Sequence, residues 1–348
     1  MLDATITGGP IAKACHAFLT GDLDPNTSEG LQILLCGEGE KRVEAFVFEL
    51  LFDRVLIHLG FKTASRWMRG FLPRRSGYLW IVTESEHGLN ECDDAFIKFL
   101  SERKQKIILV RWSNNITPFA RLRIGGEWGE CEQLEKALAR IYGCPSPHEE
   151  IENVVTPETL GRVLSELKSR MEYGEAIGLA QQRVLINNFI KRWSGRQPID
   201  IDAVILNKSG LIKVVEFKRK YPSRDMLLSL DTSHVESAQW FSDNGLCLTY
   251  VVLIDPRRKK NESALELIKS SNRKRAIWGA VDIKYKLFSG QLKTAGKDSG
   301  MRGAGRVQWG IHIREFSMIG RKFTPKGLKP FIDGDRSMPV ITELYLSK

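Results

Sequence analysis

Residues 199–219, IDIDAVILNKSGLIKVVEFKR, set charged side chains inside two strongly apolar runs, and nothing else in the chain limits its fold so tightly. The segment Asn207–Gly210 reads as a turn, so the two runs predict a β-hairpin. With a side-chain period of two, Asp200, Asp202, Val204 and Leu206 share one face of the first strand, and Val214, Glu216 and Lys218 share one face of the second. Ile201, Ala203 and Ile205, like Val215 and Phe217, fill the opposite face. Charges embedded in such strands are costly if buried alone, so the cluster requires mutual pairing or a metal ion.

A magnesium ion takes hard oxygen ligands, commonly one or two carboxylates completed by water and substrate phosphate. Asp202 and Glu216 are the candidate ligands, with the Phe217 backbone carbonyl as a third and Asp200 as a rival for Asp202. Lys218, on the side of Glu216, is placed to orient an attacking water and to stabilise charge in the transition state of phosphodiester hydrolysis. Other Glu-x-Lys triplets, Glu102–Lys104 and Glu166–Lys168, fall in helical patterns without an aspartate on a partner strand. A helix is expected over 233–243, and His234 at its start reads as a cap or surface residue rather than a base.

Ile201 and Asp202 on one strand, followed by VVEFK at 214–218 on the next, resemble the PD-(D/E)XK, or restriction-endonuclease-like, nuclease superfamily over about residues 170–285. The resemblance implies that Asp202 and Glu216 bind magnesium or manganese and that Lys218 assists catalysis. It also implies a contribution from an acid on the preceding helix, the position Glu175 matches, and a helical polar residue where Gln239 stands.

The formal charge of +10 is unevenly spread: residues 1–150 hold 18 Lys and Arg against 21 Asp and Glu, so the basic excess lies wholly in residues 151–348. A basic half points to a polyanionic partner for that half, DNA first and RNA second. Arg219, Lys220, Arg224 and the run Arg257, Arg258, Lys259 and Lys260 are the candidates to hold the phosphate backbone. The same residues read equally as solvated surface on charge alone.

The N-terminal half alternates strand and helix. An apolar strand at 31–37 precedes an amphipathic helix at 42–59, then strands at 77–85 and 106–112 flank a helical segment at 92–104. That alternation predicts a parallel sheet. GYLWIVTES, leading into an acid-bearing helix and KIILVRW, is similar to a TIR domain. The glutamate that a TIR-type NAD hydrolase carries three residues after such a cysteine is Ala95 here, so NAD cleavage is not expected. Glu84 and Asp94 remain candidates to line a nucleotide pocket at the strand ends, while Asp93 and Asp94 equally suit a helix N-terminus.

The expected fold class is therefore α/β. Residues 1–145 form a Rossmann-like or TIR-like parallel-sheet domain for sensing or assembly, 146–170 a linker and helix, and 171–348 a restriction-endonuclease-like α/β domain with a mixed central sheet. The glycine-rich segment 289–306 reads as a loop able to close over a ligand. No run approaches the ~20 apolar residues of a membrane span, and no secretory signal is read, so a cytoplasmic location is expected. The six cysteines are scattered without zinc or iron–sulfur spacing and are expected to be buried free thiols.

Together these features predict a magnesium- or manganese-dependent endonuclease of the bacterial defence type. Its N-terminal domain would sense a nucleotide signal or a protein partner. A homodimer is expected, since two sites most simply cut both strands of a duplex. A sequence-specific restriction-type endonuclease and a catalytically silent nucleic-acid-binding scaffold are the alternatives.

Overall fold

A computed structural model describes residues 52–65, 67–71, 77–84, 88–112, 118–143, 185, 189–190, 192–195, 198–220, 223, 225–254, 277–284, 288–293, 307–321 and 325–334. In chain order the first strands are β1 (Lys62–Thr63), β2 (Trp67–Phe71), β3 (Tyr78–Thr83), β4 (Lys106–Trp112), β5 (Pro118–Ile124) and β6 (Glu127–Gln133). They are followed by β7 (Ile199–Ile201), β8 (Ala203–Leu206), β9 (Ile212–Lys220), β10 (Leu227–Asp231) and β11 (Leu248–Ile254). The last are β12 (Ile277–Asp282), β13 (Phe288–Lys293), β14 (Val307–His312) and β15 (Ser317–Arg321). Helices α1 (Glu91–Glu102), α2 (Leu134–Tyr142), α3 (Thr232–Asp243) and α4 (Leu328–Ile332) are set among them.

The architecture is mixed α/β, with sheets of mixed strand direction. Contacts divide the chain into two compact units, neither continuous in sequence: the described residues of the first fall within Trp67–Leu89 and Ile97–Asp200, and those of the second within Phe48–Arg66, Asn90–Phe96 and Ile201–Lys348. No helix among the described residues is long and apolar enough to cross a membrane.

The first unit is built on a sheet of order β6-β5-β4-β3-β2-β7. Leu79, Trp80, Ile81 and Val82 of β3 are completely buried, the signature of a strand covered on both faces. β3 and β4 are parallel and joined through α1, the expected strand–helix–strand unit. The wholly parallel sheet expected here is corrected by the rest of it, because β2 runs antiparallel to β3 and β4-β5-β6 is an antiparallel meander. Two short loops suffice for such a meander, whereas each parallel step needs a crossover. The edge strand β6 carries Glu127, Glu130 and Glu132, charges that discourage further pairing. The predicted strand at 31–37 and the start of the 42–59 helix lie outside the described residues.

The second unit has a sheet of order β1-β8-β9-β11-β12-β15 and a smaller one of order β10-β14-β13. β9 and β11 are parallel while β8 and β12 flank them antiparallel, so this sheet is mixed. The hairpin turn forms because the Asn207 side-chain oxygen accepts the amides of Ser209 and Leu211, and Gly210 takes the left-handed conformation at φ 74°. Ala203 pairs with Val215 and Val204 with Val214, which puts Ala203, Ile205, Val215 and Phe217 on one buried face. Val251, Leu253, Trp278 and Ile319 continue that face across β11, β12 and β15, Phe52 and Leu328 join the same core from outside the sheet, and Phe217 stacks on Phe52 at a 4.4 Å centroid distance. α4 lies close to β15 at Gly327, where any Cβ would come within 2.9 Å of the Ile319 carbonyl oxygen.

Also in this unit, Asn90 caps α1 by accepting from the amides of Cys92 and Asp93, and Asp93 returns the bond to the Asn90 amide. The buried Asp93 carboxylate accepts from the Ser65 amide and hydroxyl as well. Burial raises its pKa, and the bonds to Asn90 and Ser65 oppose that rise. Asp93 therefore holds the helix start. The cysteine expectation is met by Cys92, a buried free thiol that burial pushes up to about 12, and corrected by Cys131, which is free but exposed on β6. The spacing of the cysteines carries no information on that exposure, which follows from the place of β6 at a sheet edge.

Candidate active site

The period-of-two reading of 199–206 holds for β8 but not across the whole run. The chain bends at Asp202, so that Ile199–Ile201 pairs with β2 while Ala203–Leu206 pairs with β9. Asp200 is on β7, and Asp202 is the aspartate brought to the hairpin partner. Continued by one residue, the β8/β9 register would set Asp202 opposite Glu216. Instead the backbone turns away and the Asp202 Oδ2 accepts the Phe217 amide at 2.6 Å, replacing a ladder carbonyl with a carboxylate. A strand residue presents its N–H and C=O to the same edge, so the Phe217 carbonyl opens towards the Asp202 side.

Two residues along β9 from Glu216, Lys218 gathers both acids. Its Nζ lies 2.5 Å from Glu216 Oε1 and 3.5 Å from Asp202 Oδ2, and the side chains of the two acids are only 2% and 3% exposed. Lys218 itself is 30% exposed, so one side of the cluster is reached by solvent. Removing two carboxylates from water costs several kcal/mol each by general estimates, which a single ammonium and one backbone amide offset only in good geometry. The anchor for that geometry is Phe217, whose ring is held in the core directly between the two charged residues in sequence.

The ionic cluster extends into β10 and α3. His234 Nδ1 lies 3.3 Å from Glu216 Oε1, with the imidazole 13% exposed. The Lys220 Nζ donates to Ser229 Oγ at 3.3 Å. Burial of this ammonium lowers its pKa, and the attraction of Asp231 and Glu216 opposes the shift while Lys218 adds to it. At Asp231, burial alone would raise the carboxyl pKa. The Gln308 hydrogen bond, 2.5 Å long, and the positive fields of Lys220, His234 and Lys218 outweigh burial and leave the pKa below the ordinary aspartate value. Tyr250, paired in register with Glu216, is fully buried and donates its hydroxyl to the Ser229 carbonyl at 3.0 Å.

Asp202, Glu216 and Lys218 are thus brought together, with the Phe217 amide bonded to Asp202. Gln239 is elsewhere on α3, exposed and donating to Asp243 at 2.6 Å. Lys220 turns inward to Ser229 rather than outward to solvent. Arg219 is half-buried on the other face of β9 from Lys218, following the strand alternation. Glu84 forms an ion pair with Arg111 at 2.9 Å, and Asp94 is exposed on α1. Glu175, Arg224, Arg257, Arg258, Lys259 and Lys260 lie outside the described residues.

Asp231 and Gln308 escaped the sequence reading, and His234, expected as a cap or surface residue, is instead largely enclosed beside Glu216. A helix-start histidine carries no periodic signal, and only the β10-to-α3 corner brings it back to β9. Gln308 arrives from β14, paired in register with Asp231, a contact made across 77 residues of chain.

The donor set suits a magnesium or manganese ion: two carboxylates that already converge on one positive charge, beside a main-chain carbonyl. Among the described residues, no group of three or more His, Cys, Asp or Glu is arranged to hold a metal. A magnesium site requires only one or two carboxylates, the remainder being water and substrate oxygen.

Comparison with known protein families, curated proteins and solved structures returns no match.

Proposed function

We propose that the chain is a divalent-metal-dependent nuclease with a restriction-endonuclease-like C-terminal domain, acting on DNA. The observation that carries this reading is the convergence of Asp202 and Glu216, from two segments of a hairpin, on the Lys218 ammonium. Buried acids gathered round a lysine at a solvent-reached edge combine a cation site with a group able to steady a developing negative charge.

Asp202, Glu216 and the Phe217 carbonyl would hold magnesium or manganese, which when bound supplies Lewis acidity and a more acidic water. The protein's own part is positional. The Phe217 amide fixes Asp202 through Oδ2, so the aspartate cannot rotate without losing a backbone hydrogen bond. Lys218 draws the two acids together and presents the ammonium on the exposed side, where it can orient water and neutralise charge on a phosphoryl oxygen. The excess of bases in residues 151–348 favours a polyanionic substrate.

On this reading the N-terminal domain is a Rossmann-like or TIR-like sensor or assembly module, and the whole is a defence-type effector, cytoplasmic and homodimeric. Its test uses the full chain and its Lys218→Ala variant with supercoiled plasmid, single-stranded DNA and RNA, each in magnesium, manganese or EDTA. Cleavage that requires metal and disappears in the variant supports the reading and names the substrate. Cleavage that survives in EDTA or in the variant removes it, and binding without cleavage by a folded wild type favours the silent scaffold.

A further inference from the structure

On one face of the antiparallel pair β5–β6, Ala120 and Leu122 are buried on the side of α2, whose Leu134, Ala137 and Leu138 are buried too. Residues directly opposite each other in an antiparallel ladder share a face. Arg121 stands opposite Cys131 and Arg123 opposite Trp128, so all four lie on the other face. Three residues separate Trp128 from Cys131, and a regular strand would send them to opposite sides. The register shift between Arg121 and Arg123 gives β6 one extra residue there, which brings the indole round to the arginines.

Both guanidiniums are tethered through Nε. Arg121 Nε donates to the Gly129 carbonyl in the bulge at 3.3 Å, and Arg123 Nε to the Gly126 carbonyl in the hairpin turn at 3.0 Å. Their Cζ atoms lie 5.9 Å and 5.3 Å from the centroid of the Trp128 ring, within cation–π range. The terminal nitrogens remain for another acceptor. Neighbouring arginines are engaged by acids, Arg111 by Glu84 at 2.9 Å and Arg140 by Glu132. Among the described residues no carboxylate pairs with Arg121 or Arg123. Glu127 and Glu132 stand opposite Ile124 and Ala120, on the side of α2, and Glu130 falls in the bulge, outside the ladder register.

We infer that this face binds single-stranded nucleic acid, the Arg121 and Arg123 forks taking two successive phosphates and the Trp128 ring a base. Guanidinium forks match phosphate oxygens bidentately. Alternate residues of a strand are roughly 7 Å apart, a span comparable with that between neighbouring phosphates of an extended nucleic-acid strand. A duplex keeps its base faces stacked inside, so an aromatic ring beside phosphate-binding arginines fits an unpaired base. The inference goes beyond the nuclease reading and does not depend on it, since the residues of that reading lie on β8 and β9.

Cys131, an exposed free thiol opposite Arg121, reports on this face. The test measures its alkylation by iodoacetamide in the full chain, by mass spectrometry of the peptide that carries it, with EDTA present to prevent cleavage. A thymidine oligonucleotide is expected to slow the reaction several-fold, and its duplex with the complementary strand to leave the rate near that of the free protein. Arg121→Gln combined with Arg123→Gln should abolish the protection and lower the logarithmic salt slope of single-strand binding by about 1.4, at about 0.7 for each phosphate contact. Trp128→Leu should weaken that binding about tenfold, and Trp128→Phe should restore most of it. If Trp128→Leu does not fold, the arginine substitutions, which are at the surface, carry the expectation. An oligonucleotide that does not bind or that binds without protecting Cys131, equal protection by the duplex, or protection that persists in the doubly substituted protein overturns the inference. Each of these outcomes is read without metal and leaves metal-dependent cleavage to be judged by Lys218→Ala alone.

Discussion

At the scale of single residues, the site is an arrangement of unlike charges sharing little water. Lys218→Met would leave Glu216 and Asp202 buried without their ammonium. Breaking a buried pair from one side typically costs about 3–5 kcal/mol, so a fall in melting temperature is expected, partly recovered by millimolar magnesium. An unchanged melting curve without metal would show that Lys218 does not hold the acids together. Asp231 gives a pH-dependent counterpart. Its folded pKa lies below its unfolded one, so its contribution to stability is present above the ordinary aspartate range and is lost as pH falls through the folded value. Gln308→Leu removes the largest of the stabilising influences on the ionised form. Acid unfolding of that variant should therefore begin at higher pH than in wild type, while no displacement of the acid midpoint would contradict this.

Elements explain why some of this could be read from sequence and some could not. Glu216 and Lys218 fall on one face of β9 as the period of two requires, and Val215 and Phe217 fall on the other, in the core. Asp202 was also legible, but for an incomplete reason. A straight strand would have put Asp200 and Asp202 on one face, whereas the bend separates the segments carrying them, a tertiary effect with no local residue signal such as glycine or proline. The pairing of β1 with β8, across more than 140 residues between Thr63 and Ile205, was likewise invisible to local patterns. Phe217 links hairpin and core, since its ring stacks on Phe52 and lies 5.5 Å from that of Trp278. Phe217→Ala should cost about 3–5 kcal/mol, read as a lower denaturant midpoint, and a loss below about 1 kcal/mol would show that the stack does not anchor β9.

Along the whole molecule charge is unevenly spread, residues 1–150 being slightly acidic and residues 151–348, which carry the acid–lysine cluster, basic. Alternation of strand and helix was legible in the N-terminal half through 77–112, but strand direction was not. The meander of β4, β5 and β6 depends on short connections whose residues also suit loops. Long-range charge has a consequence for the whole chain: binding to DNA should weaken with rising salt, with about one unit of logarithmic slope for each phosphate contact. Alanine at Arg257, Arg258, Lys259 and Lys260 should flatten that slope in fluorescence anisotropy, and an unaltered slope would remove these bases from the interface.

The most direct measurement is the single-turnover cleavage rate of Asp202→Asn set beside that of Asp200→Asn, with the full chain, magnesium and the substrate that the wild type cuts fastest. The bend that gives Asp202, rather than Asp200, to Phe217 and Lys218 leads to an expected loss on the order of 10²–10³-fold for Asp202→Asn, by analogy with the removal of other preorganised groups. Asp200→Asn should stay within a few fold of wild type. Equal losses, or a larger loss at Asp200, would contradict the assignment of the site.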